Sequence, residues 1–181
     1  YVVDYRSIKI QPERVTNAPI RTLSLDIECM AMTQDEFPEA SKCPVIQIGV
    51  ITSKFGEKDV GTDTDNSIVF CLHETDDIPT GKVEWFVDES KMLYAFYQYV
   101  MKFDPDIITG YNSDWFDLPY LFDRMLYLGL DKYGCLQMTK LKTRPVIRWT
   151  QVFNSNQMGQ VKSERYNIPG RICMDVYQLM K

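Results

Sequence analysis

The stretch "LSLDIEC" (residues 23–29) decides how the chain is read. Leu23, Leu25, Ile27 and Cys29 give it the character of a buried strand, yet Asp26 and Glu28 stand inside it, two residues apart. Side chains alternate along a strand, so both carboxylates face the same way. At an effective dielectric of about 20, two like charges roughly 5 Å apart cost on the order of 3 kcal/mol, and burial adds to that. One carboxyl can protonate, a cationic side chain can pair with them, or a hard divalent cation can bind. Arg21 is the only nearby base and lies outside the apolar run. Mg2+ or Mn2+ suits a sparse all-oxygen site. A solvated strand face on which both carboxylates meet water is the alternative, and the strand alone leaves the two open.

Outward from this strand, residues 1–20 read as a lead-in segment from a preceding N-terminal domain, with short strands expected in "YVVDY" and "SIKI" and a turn-rich "QPERVTNAP" between them and residue 21. "VIQIGVITS" is nearly all apolar and predicts a strand buried on both faces. "SIVFCL" predicts a third strand, and closeness in sequence predicts antiparallel pairing of the three. The period then changes. Met92, Leu93, Phe96, Tyr97, Val100 and Phe103 follow helical spacing, with Asp88 or Ser90 as the cap. "PDIITGYN" is a short fourth strand entering a turn, and "FDLPYLFDRMLYLGL" a second helix, whose Leu118, Leu121, Phe122, Met125 and Leu128 share a face and whose Pro119 fits the first turn. "PVIRWTQVF" and "VKSERYNI" flank a tip rich in Asn, Gly and Gln and predict a long hairpin, and "MDVYQLMK" opens a helix. This order predicts an α/β fold with a mixed central sheet flanked by helices, plus a protruding β-hairpin.

Composition narrows the function. With 45% hydrophobic and 25% charged residues over 181 positions, the chain has the makings of one ordinary globular domain. No apolar run approaches the roughly 18 residues of a membrane span, so no membrane partner is expected. The five cysteines are scattered without a CxxC pair, which argues against a disulfide framework or zinc site and fits a reducing intracellular compartment. His73 is the single histidine, which excludes chemistry built on a histidine pair and suits a structural role near a strand end. Residues 1–130 hold 11 Lys and Arg against 22 Asp and Glu, whereas residues 131–181 hold 9 against 3; the balances of −11 and +6 sum to the net −5. An acidic, metal-binding part beside a basic, phosphate-facing part is one explanation, and an accident of surface charge is the other.

A second motif lies in "TGYNSDWFDLPYLFDR" (residues 109–124), which places Asn112, Phe116 and Asp117 in a strand-to-helix turn. Asp117 at the helix start meets the positive end of the dipole, either as a functional anion or merely as an N-cap. Taken together, "LSLDIEC", "FPEASKCPVIQIGV" and "PDIITGYNSDWFDLPYL" resemble the proofreading 3′→5′ exonuclease domain of family-B DNA polymerases, most like the delta type. The likeness is dense over residues 1–130 and looser over 131–181, through a basic hairpin and "GRICMDVYQL".

The resemblance implies a ribonuclease-H-like fold and two divalent metal ions, Mg2+ or Mn2+, with Asp26, Glu28 and Asp117 as ligands and catalytic residues. It further implies that Phe37 of "FPE" stacks on the terminal base, that Asn112 bonds near the primer end, and that Lys162 and Arg165 of the hairpin face DNA. Phe116 is weighed between DNA contact and packing. Asp175 matches a family position that is not taken as a ligand. The implied partners are the single-stranded 3′ end of primer DNA, the remaining polymerase domains, a sliding clamp and small polymerase subunits, in the nucleus if the source is eukaryotic. The family also carries a later Y-x3-D motif. After Asp117 only Tyr127 and Asp131 have that spacing, directly behind the second motif, so residues 21–181 are expected to be an exonuclease domain whose third motif lies past Lys181. A chain starting at Tyr1 is likewise expected to be part of something longer, and weakly active alone. The competing readings are a degenerate exonuclease-like module that only binds DNA or braces a polymerase, and a stand-alone ribonuclease-H-like nuclease.

Overall fold

The computed structural model describes residues 3–33, 36–56, 66–155 and 159–180, with backbone alone for 151–155 and 159–164. Its centre is β1 (Arg21–Cys29), whose odd residues Leu23, Leu25 and Ile27 are buried while Asp26 and Glu28 are exposed. β2 (Val45–Lys54) and β3 (Ser67–Leu72) follow antiparallel, as local hairpin connections favour. β4 (Lys82–Phe86) lies parallel to β3 at one edge, and β5 (Ile107–Gly110) and β8 (Ile172–Asp175) extend the other side in parallel, giving the order β4-β3-β2-β1-β5-β8.

Helices α1 (Glu89–Phe103) and α2 (Asp117–Tyr127) cover one face of this sheet. Asp88 caps α1, its side chain accepting from the Lys91 N–H at 3.0 Å. Met92, Leu93, Phe96 and Val100 of α1 and Leu118, Leu121, Phe122 and Met125 of α2 close the core over Leu23, Leu25, Ile48 and Val50. A buried ion pair joins the two helices: the Arg124 Nη2 and Glu89 Oε2 are 2.7 Å apart, and Arg124 Nε donates to Glu89 Oε1 at 2.9 Å. Glu89 also accepts from the Val45 N–H, and Arg124 Nη1 donates to the Ala40 carbonyl, so the same pair anchors the loop before β2.

The hairpin of β6 (Ile147–Ser155) and β7 (Gly159–Asn167) forms as expected, paired from Ile147↔Asn167 to Ser155↔Gly159. Its base is moored to α2: the Tyr166 ring lies 4.8 Å from Phe122, and Tyr166 Oη donates to Asp123 at 2.5 Å. α3 (Val176–Leu179) opens where the sequence predicts a helix, with Asp175 as its cap.

Several expectations are corrected. β1 is not buried on the carboxylate side, and β2 is not buried on both faces: Ile51 is 45% exposed, because α1 and α2 pack on the opposite face of the sheet. Of "YVVDY" only Val3–Tyr5 lie within the described residues, and neither they nor "SIKI" form strands; a short 3-10 turn spans Tyr5–Ser7 and the side chains of 3–20 are exposed. β4 and β8 escape the sequence reading because both are short edge strands with little alternation. His73 is exposed beyond β3 with φ 71°, and all five cysteines are free.

Candidate active site

β1 and β5 pair in parallel only from Thr22↔Ile107 to Ser24↔Thr109. β5 then ends at Gly110 and turns away, while β1 runs on to Cys29. Gly110 is required by the closeness of that departure: a Cβ there would lie 2.6 Å from the Leu25 carbonyl oxygen and 2.8 Å from the Ser113 Cβ. The turn is compact, with the Phe116 N–H donating to the Asn112 carbonyl and the Leu118 N–H to that of Ser113. Asn112 is left-handed at φ 61°, a conformation Asn tolerates better than most residues.

This turn delivers Asp117 to β1. Asp117 is not the cap of α2; Phe116 takes that place without a side-chain bond. The Asp117 carboxylate instead reaches across ninety positions of sequence and accepts the Ile27 N–H at 3.0 Å, at the residue between Asp26 and Glu28. Asp117 is 2% exposed. Burial pushes its carboxyl up to about 6; the charges of Asp26 and Asp175 push the same way, and the Ile27 N–H opposes them without prevailing. The positive end of α2 points at it too, so dehydration outweighs both favourable groups.

Asp26 and Asp117 therefore share one neighbourhood, with Glu28 two residues along the same exposed face of β1. Among the described residues, no three His, Cys, Asp or Glu side chains close into a group able to hold a metal ion. On the carboxylate side of the sheet, a trough of about 660 Å3 runs over Asp26, Ile51, Val69, Thr109, Tyr111 and Val176.

The remaining predicted residues fall in three places. Phe37 is 75% exposed, its ring edge-on to Phe116 at 5.2 Å, and half-buried Phe116 continues to Tyr120 at 5.6 Å. Phe116 is thus packed between a buried ring and an exposed one. Arg165, expected to face DNA, lays its guanidinium over the Trp115 indole, 4.2 Å from the centroid, and so joins the hairpin base to the turn. Its charge also opposes the burial that raises the Asp114 carboxyl. The Lys162 side chain lies outside the described residues, although its backbone pairs with Val152. Burial pushes the thiol of Cys29, directly after Glu28, up to about 12. Sequence reasoning gave no role to the carboxylate of Asp175, which is 4% exposed and accepts the N–H groups of Asn112 and Asp114 at 2.8 and 3.3 Å. The signal that could have found it is an Asp directly before a helix, a favoured cap.

Over residues 2–181 the sequence matches the family described as DNA polymerase family B, exonuclease domain, and the chain belongs to that family. The resemblance read from the two motifs is borne out. The DNA polymerase delta catalytic subunit of Plasmodium falciparum is 40% identical over 162 residues, covering 90% of this chain and 14% of that protein. That of Candida albicans is 34% identical over 185 residues, covering 99% and 17%. That of Mesocricetus auratus is 36% identical over 164 residues, covering 90% and 14%. The chain thus spans between 14% and 17% of the length of these curated relatives. No described helix is long and apolar enough to cross a membrane.

Proposed function

We propose that the chain is the 3′→5′ proofreading exonuclease module of a replicative, delta-like DNA polymerase, built on a ribonuclease-H-like fold. The observation that carries this is Asp117, lodged against the Ile27 N–H between Asp26 and Glu28. A brace has no use for a buried carboxylate held against a strand that carries two more. Its substrate is the single-stranded 3′ end of a primer. Water adds to the terminal phosphorus, the bond to the 3′ oxygen breaks, and a nucleoside 5′-monophosphate leaves behind a new 3′ hydroxyl.

The donor set fits Mg2+ or Mn2+: the groups are all oxygen, and Asp117 sits in a field that its neighbours make more negative, which a cation relieves. Asp26, Glu28 and Asp117 would hold the ions, which when bound supply charge neutralisation and Lewis acidity at the phosphodiester. The protein's own part is placement. The Phe37 ring, exposed and backed by Phe116, offers a face for the terminal base, and stacking accepts any base because every base has a π-face. Asn112 stands in the turn beside the carboxylates to bond the primer end, and Lys162 lies on the hairpin for phosphate. Residues 1–20 lead in from a neighbouring domain, and the other polymerase domains, a sliding clamp and small subunits complete the assembly, in the nucleus if the source is eukaryotic.

A Mg2+-dependent digestion of single-stranded DNA by the full polymerase tests this. Asp26→Ala is expected to remove terminal hydrolysis while leaving the chain folded. Undiminished hydrolysis in that variant refutes the assignment, and an inactive wild type with all motifs present favours the brace.

A further inference from the structure

Asp175 stands last in β8, in register with Gly110, the last residue of β5. The two strands thus end together beside the turn that carries Asn112 and Asp117. The β8 backbone is held there by Thr109, whose Oγ1 donates to the Met174 carbonyl at 2.7 Å. From this point the Asp175 side chain folds over the end of β5. Its Oδ1 accepts from Asn112 N–H at 2.8 Å and from Tyr177 N–H at 2.9 Å, and its Oδ2 accepts from Asp114 N–H at 3.3 Å. One carboxylate therefore fixes the left-handed Asn112 and the residue two further on, and ties both to the first turn of α3. A non-glycine residue at positive φ is held by its surroundings rather than by its own preference.

We infer that Asp175 is a positioning residue for the hydrolytic site: its carboxylate clamps the 110–117 turn, so that Asn112 faces the primer end and Asp117 arrives at Ile27. The inference rests on the reading of Asp26, Glu28 and Asp117 as that site. Asp175 acts through backbone hydrogen bonds, chiefly the Oδ1 acceptor that Asn112 and Tyr177 share, not through a charge offered to substrate.

Four variants of the full-length polymerase separate the possibilities. Asp175→Ala removes every bond. Asp175→Ser keeps a hydroxyl that caps α3 but is too short to span to Asn112. Asp175→Asn keeps the carbonyl oxygen that serves Asn112 and Tyr177. Asp117→Ala reports on the site itself. Because misplacement of about 1 Å costs on the order of 100-fold, Asp175→Ala and Asp175→Ser are expected to lower kcat on single-stranded DNA about 10- to 100-fold with KM within about twofold, and Asp175→Asn to stay within about threefold of wild type. A wild-type kcat in Asp175→Ser overturns the inference, leaving Asp175 as a helix cap. An Asp175→Asn as impaired as the alanine variant overturns it also, since the acceptor shared by Asn112 and Tyr177 would then not be what holds the turn. If Asp175→Ala does not fold, the serine variant decides. Full activity in Asp117→Ala defeats the reading of the site, whereas loss there with normal Asp175 variants defeats the clamp alone.

Discussion

Asp117 holds a charge that the fold resists. Its carboxyl moves from an ordinary 3.8 to about 6, first through burial and then through Asp26. A folded-state value above the unfolded one means that the native chain binds the proton more tightly, so this group destabilises the fold as pH rises from about 4 to 6 and carries the full penalty above. About two pH units at 1.36 kcal/mol each put that penalty near 3 kcal/mol in the absence of divalent cations. Asp117→Asn removes the charge, and its side-chain carbonyl can still accept the Ile27 N–H. The variant should therefore be more stable than wild type by about 1–3 kcal/mol at pH 8 and indistinguishable below pH 4, while losing hydrolysis. Denaturant melts in EDTA between pH 4 and 8 measure the gap, and adding Mn2+ should stabilise wild type and leave the variant unmoved. A less stable variant at pH 8, or a gap that ignores pH, refutes the reasoning.

Three further outcomes follow from the same geometry. Gly110→Ala puts a Cβ within 2.6 Å of the Leu25 carbonyl, so it should cost about 1–3 kcal/mol in a thermal melt and depress hydrolysis by displacing the turn. Arg124→Leu strands Glu89 and should cost about 3–5 kcal/mol, whereas the double variant Glu89→Met with Arg124→Leu should recover much of that loss in the same denaturant assay. Phe37→Ala should change stability by less than about 0.5 kcal/mol because the ring is 75% exposed, yet weaken binding of single-stranded 3′ ends by about 1–3 kcal/mol in a fluorescence titration.

Two kinds of information are separated in this chain. Local order determined α1, α2, the hairpin and the opening of α3, because periodicity, a cap at Asp88 and a turn-rich tip act within a few residues. It also determined that Asp26 and Glu28 share a face, since alternation along a strand follows from the backbone. Sequence alone could not say whether that face is buried. Both helices pack on the other side, so the like charges of β1 meet solvent, and the carboxylate that suffers burial is Asp117, whose motif alone could have made it a mere helix cap. The meeting of Asp117 with Ile27, and of Asp175 with Asn112, joins residues 90 and 63 positions apart. Such bonds depend on strand order and on where β5 ends relative to β1, and no spacing along the chain encodes either.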